Sequence, residues 1–138
     1  MINANMCAIQ GQGDAMIGYK LGDEIDNLQH WPFDAPASAY QILSGTPRAS
    51  GRIDAGGDGH TTRFGIWRCS TGAFKCTEQG DELMTILSGR CRVINHTSGQ
   101  TCELAAGDSL FMRDGSRVTW EIFEEVTKVF HGYKKDGF

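Results

Sequence analysis

The residues best placed for chemistry stand close together. Cys76, Glu78 and Glu82 alternate along one stretch, and Cys76 and Glu78 share a strand parity, so both face the same side. Two carboxylates in one poorly solvated pocket repel, raising the pKa of one and setting an acid beside a base. Glu82 reads either as a carboxylate projecting into a pocket or as one side of an ion pair with Arg63, Arg68 or Arg92. Glu78 reads either as its partner in that pocket or as a residue facing water from the turn over 78–81. Cys76 has no histidine local to it, so an inert buried thiol is the expectation rather than a nucleophile. His30, His60, His96 and His131 are scattered without ligand spacing, and structural or solvated roles are expected for them. No phosphate-cradling loop or nucleophile elbow is present.

The elements that must position these groups are short strands. From residue 39 onward the chain is a series of alternating runs punctuated by glycine and Asx pairs, with 18 glycines among 138 residues. Strands are expected over 62–69, 73–78, 83–87, 90–95, 101–104, 109–113, 118–123 and 126–133, forming a sandwich or barrel with little helix. Glu82, Met84 and Ile86 point one way on their strand, and Val118, Trp120 and Ile122 make an apolar stripe on a later one. Residues 1–40 are polar and weakly periodic, and Trp31-Pro32-Phe33 followed by Pro36 reads as an extended arm. Several strands carry apolar residues on both faces, so the arm or a second subunit must cover one face, and a homodimer is expected.

Composition narrows the function. Seventeen acids against thirteen Lys and Arg give a net charge of −4, which argues against a nucleic-acid partner. Five cysteines without a C-x-x-C pair fit a reducing compartment rather than a disulfide scaffold. The first charge is Asp14 and no apolar run approaches the length of a spanning helix, so a cytoplasmic protein without membrane contact is expected.

The order of glycines resembles a known family. Gly72-Ala-Phe-Lys-Cys76-Thr-Glu78-Gln-Gly-Asp-Glu82, closed by Gly89, is similar to the first cupin motif, and Gly107-Asp108 through Arg113-Asp114-Gly115 to the second. Gly65-Ile66-Trp67, Gly72-Ala73-Phe74, Ile86-Leu87-Ser-Gly89 and Trp120-Glu121, with Leu43-Ser-Gly45-Thr-Pro47 upstream, resemble the small single-domain cupins grouped with ureidoglycine aminohydrolase and the ethanolamine-utilisation cupins. The resemblance implies an all-β, double-stranded β-helix or jelly-roll barrel over 41–138, preceded by the arm over 1–40. Metal-binding cupins carry His-x-His and Glu in the first motif and a further His in the second. Here those positions hold Cys76, Glu78, Glu82 and Val118, so every imidazole is replaced. That donor set predicts a barrel without a tightly held metal or other cofactor.

Two functions follow. One is a small-molecule binder whose barrel mouth is lined by Cys76, Glu78, Glu82, Met84, Val118 and Trp120. The other, implied by the resemblance, is a ureide or amide hydrolase of nitrogen metabolism using Glu82 and Glu78. Glu82→Gln is expected to leave folding largely intact and to weaken ligand binding by about 1.5–3 kcal/mol.

Overall fold

Alternating runs broken by turn residues leave antiparallel pairing as the way to satisfy the backbone while burying one side of each strand. In the computed structural model, which describes residues 16–138, the chain forms β1 (Gln29–His30), β2 (Gln41–Ser44), β3 (Ala49–Gly56), β4 (Thr62–Cys69), β5 (Gly72–Thr77), β6 (Asp81–Asn95), β7 (Gln100–Ala105), β8 (Ser109–Met112) and β9 (Arg117–Tyr133). Among the described residues there is no α-helix, only a 3-10 turn at Pro36–Ser38. Cys7 and the first part of the arm lie outside the described residues.

Two pairs of expected strands are continuous. The runs 83–87 and 90–95 form β6, and 118–123 and 126–133 form β9. These long strands pair with each other along nearly their whole length, and their register shifts between Ile86 and Cys91. The first half of β6 and the second half of β9 belong to one sheet, with β8, β4, β3 and β1 beside them. The other halves belong to a second sheet, with β7, β5 and β2. This is a jelly-roll cupin barrel whose two sheets share their central strands.

The sharing depends on a bulge. Gly89 has φ +87°, and a Cβ there would run into the Glu125 carbonyl oxygen. The expected turn at Ser88-Gly89 is therefore a bend within one strand, where a bulged residue turns it into the second sheet.

Between the sheets, Phe74, Met84, Ile86, Cys91, Val93, Val118, Trp120, Ile122 and Val126 form a nearly water-free core. On the outer side, Ile66 is also fully buried but does not belong to that interior cluster. The arm is fastened to the barrel by Tyr19 Oη, which donates to Asp54 Oδ2 at 2.5 Å, and by the Gly22 N–H, which donates to the Leu87 carbonyl at 3.0 Å.

Strands β1, β2 and β3 were not foreseen, because 49–56 lacks apolar alternation. Gly51 on β3 is occupied in space by the ring of Trp31, so its missing side chain is a seat for the arm. The Trp31 N–H donates to the Ala49 carbonyl at 2.9 Å, completing that seat. Residues 31–40 therefore act as a wall of the barrel mouth as well as an extension.

Candidate ligand-binding site

The site is built from inward positions of β4, β5, β6 and β9, closed on one side by residues 31–40. Its floor is an ion pair. Glu82 is 6% exposed and Lys128 5%, and Lys128 Nζ donates to Glu82 Oε2 at 2.7 Å. The ammonium also lies 4.7 Å from the Trp67 ring centre and 4.6 Å from that of Trp120, within cation–π range. Two indole faces and a carboxylate thus compensate the desolvation of Lys128.

Glu82 thus lines the pocket and is also ion-paired, with a lysine in place of Arg63, Arg68 or Arg92. Arg68 Nε donates to Thr127 Oγ1, while Arg92 lies near Glu103 and Glu121. Arg63 lies in the cavity wall without a carboxylate partner among the described residues. Lys128 was missed because β9 carries apolar residues on both parities: Val126 and Phe130 flank it on one, and Val129 lies on the other. The available signal was a lysine at the same parity as Val126 and Phe130, an inward position once β9 is placed centrally.

For Glu78 the fold selects the pocket over the water-facing turn. Its N–H donates to the Ser116 carbonyl at 2.8 Å, and its carbonyl accepts from the Gly115 N–H at 3.0 Å. With its backbone so held, the carboxyl group turns inward instead of facing water. Oε1 accepts from Trp120 Nε1 at 3.0 Å and from the Cys76 thiol at 3.6 Å. Burial pushes the Glu78 pKa above the usual carboxylate range, and the nearby Glu82 charge adds to this; Lys128, Trp120 and Cys76 oppose it. Burial, reinforced by Glu78, raises the Cys76 thiol far above its ordinary value, so it is a protonated donor and not a nucleophile. Tyr40 is likewise held protonated, chiefly by burial.

A carboxyl with a raised folded-state pKa binds its proton more tightly folded than unfolded. Glu78 therefore weakens the fold as pH rises from the ordinary carboxylate range toward its raised value. Glu78→Gln keeps an acceptor for Trp120 and removes the titration. It is expected to be more stable than the parent by about 1–3 kcal/mol at about pH 8, with the gap closing near pH 4. Urea unfolding at both pH values checks this, and equal midpoints throughout would refute it.

Above the floor lies a cavity of about 360 Å³, walled by Trp31, Phe33, Tyr40, Trp67, Phe74, Trp120 and Phe130, with Arg63 and Asp58 also lining it. Phe33 packs 4.6 Å from Phe74 and 4.9 Å from Tyr40, centre to centre. All three tryptophans of the chain line this cavity. Of the six residues anticipated from sequence, Cys76, Glu78, Glu82 and Trp120 also line it, while Met84 and Val118 lie buried in the core. His131 faces outward, stacked 4.2 Å from Phe64, and the exposed His96 contacts Thr119 Oγ1 at 2.7 Å.

These residues do not fit a cupin metal. Among the described residues, no three His, Cys, Asp or Glu side chains converge as a ligand set. Glu82 is the carboxylate that the metal motif shares, and here its charge is met by an ammonium.

Comparison with known proteins places this geometry in a family. Residues 56–130, more than half of the chain, match the family model for the EutQ-like cupin domain. No curated protein matches. The EutQ protein of Clostridium difficile is 16% identical, with a TM-score of 0.54 over 66% of this chain and 71% of that one. A putative ethanolamine utilization protein of Salmonella typhimurium is 17% identical, with a TM-score of 0.51 over 70% and 96%. A DUF861-family protein of unknown function from Pseudomonas syringae is 20% identical, with a TM-score of 0.60 over 79% of this chain and 45% of its own. At these identities the structures speak for the fold alone. With Glu78, Glu82 and Lys128 all inside the matched segment, the chain belongs to the EutQ-like cupin domain family.

Proposed function

We propose that the protein binds a small molecule in the barrel mouth, over the Glu82–Lys128 pair, without a tightly held metal. The observation that carries this reading is a buried ion pair left at the floor of an aromatic-walled cavity. Such a pair costs desolvation energy that well-packed apolar residues would not, so stability alone is weak reason to keep it. A ligand bearing amide or amine donors and a carbonyl acceptor meets Glu82, Glu78 and Lys128 with complementary groups. The aromatic walls supply the apolar contact.

A second reading is favoured by one observation. A carboxyl whose pKa burial raises, beside a second carboxylate, is the arrangement that acid–base hydrolysis of an amide or ureide uses. It agrees with the resemblance to ureidoglycine aminohydrolase.

Tryptophan fluorescence tests both, because every tryptophan lines the cavity. Titration with a panel of small amides and ureides is expected to give a saturable change for some members. Glu82→Gln/Lys128→Met is expected to weaken it at least tenfold, the lower end of what a charged hydrogen bond contributes. Recovery of the compound intact supports the binder, and released ammonia the hydrolase. Unchanged affinity in the double variant would remove the ion pair from the site.

A further inference from the structure

Arg63 is a charged group of this cavity that no carboxylate among the described residues neutralises. It lies on β4, directly across from Gly132 of β9, which in turn lies across from Glu82 of β6. The three positions form one row across adjacent strands, so Arg63 and Glu82 stand about 10 Å apart along it, with no side chain between. A Cβ at Gly132 would lie 3.3 Å from Arg63 Cγ and 3.5 Å from Nε, so glycine there gives the arginine its space.

The guanidinium is held but not neutralised. One face is covered by the Phe138 ring, 4.0 Å from Cζ to the ring centre. One terminal nitrogen donates to the Gln79 carbonyl over a long 3.4 Å, while Nε is enclosed and donates to nothing among the described residues. No carboxylate lies within 4.0 Å of it among the described residues, although the exposed Asp58 lines the same mouth. An enclosed donor without a partner carries a desolvation cost that an incoming acceptor relieves. The fork of a guanidinium matches a carboxylate in geometry as well as charge.

We infer that the ligand is a small carboxylate, its acidic end held by Arg63, its flat body among the aromatic rings and a polar end toward Glu82. This rests on the barrel mouth being the binding site and adds the chemical class of what enters it. The span between Arg63 and the floor limits the ligand to a short acid, since the cavity holds about 360 Å³.

The experiment compares phenylacetate with phenylacetamide, which share a body and differ in charge, by tryptophan fluorescence. The acid is expected to bind at least tenfold more tightly than the amide, a preference that shrinks as salt is raised. Arg63→Gln is expected to abolish the preference, weakening the acid far more than the amide. Arg63→Lys, which keeps the charge and loses the fork, should retain only part of it. Equal binding of acid and amide by the parent protein overturns the carboxylate inference and leaves the barrel-mouth site standing. Survival of the preference in Arg63→Gln, with its loss in Glu82→Gln/Lys128→Met, would overturn Arg63 as the anchor and assign the acid to Lys128. Acid binding unaffected by either set of changes would overturn the site itself, as would the absence of any response to both compounds at about 10 mM, a concentration that reveals even millimolar affinity. The parent comparison and its salt dependence require no variant, so the test does not depend on Arg63→Gln folding.

Discussion

Glu82→Gln is expected to destabilise the protein by about 3–5 kcal/mol, and Glu82→Gln/Lys128→Met to recover most of that loss. The single change leaves the Lys128 ammonium buried without its carboxylate, held only by two indole faces. The double change removes both charges and places an apolar chain of similar length between Trp67 and Trp120, which replacements of buried ion pairs show to be neutral or favourable. Sequence alone suggested that Glu82→Gln would fold normally; the ion pair reverses that expectation. Glu78 sets the lower end of the range, since losing the Glu82 charge removes one of the causes that raise its pKa. Once ionised, it can serve Lys128 in turn. Lys128→Met alone strands the Glu82 carboxylate in turn and should also lose stability. Urea unfolding of the four proteins gives the coupling energy directly. If the double variant loses the sum of the single losses, the two residues are not coupled and the floor of the site is misread.

Gly89→Ala is the second large effect, an expected loss of about 2–5 kcal/mol: about 1–2 for a side chain in left-handed backbone and about 1–3 for the displacement it forces. A Cβ at Gly89 meets the Glu125 carbonyl oxygen, which is backbone and cannot swing aside. The control is Gly99→Ala, at φ +79° with open space around it, which carries the conformational term alone. The difference between the two isolates the contact that lets β6 leave one sheet for the other. Equal losses would show that the bend between β6 and β9 tolerates a side chain. Because Glu82 and Lys128 come from the long strands that bend there, Gly89→Ala should also disturb tryptophan fluorescence, whereas Gly99→Ala should not.

The periodicity of the chain was enough to establish an all-β barrel, and the spacing of Gly72, Gly89, Gly107 and Asp108 was enough to suggest a cupin. Strand parity set Cys76 on one face of its strand and Glu82 beside Met84 and Ile86 on one face of the next, and the resemblance to cupins implied that these faces point inward. The replacement of each imidazole by Cys, Glu or Val was likewise a property of the chain itself. Other features depended on which strands became neighbours. Ser88-Gly89 has the composition of a turn, and only the pairing of β6 with β9 makes it a bulge inside a continuous strand. Glu78 carries turn chemistry, and only its backbone bonds with Ser116 and Gly115 rotate its carboxyl toward Trp120. Lys128 lies 46 residues from Glu82, so no local pattern could pair them. Arg63 was one of three arginines equally able to meet Glu82 on paper, and the fold left it unpaired across from Gly132. Local alternation is a covalent property, written into every strand; charge pairing and enclosure arise only when distant strands meet, and tertiary structure decided those.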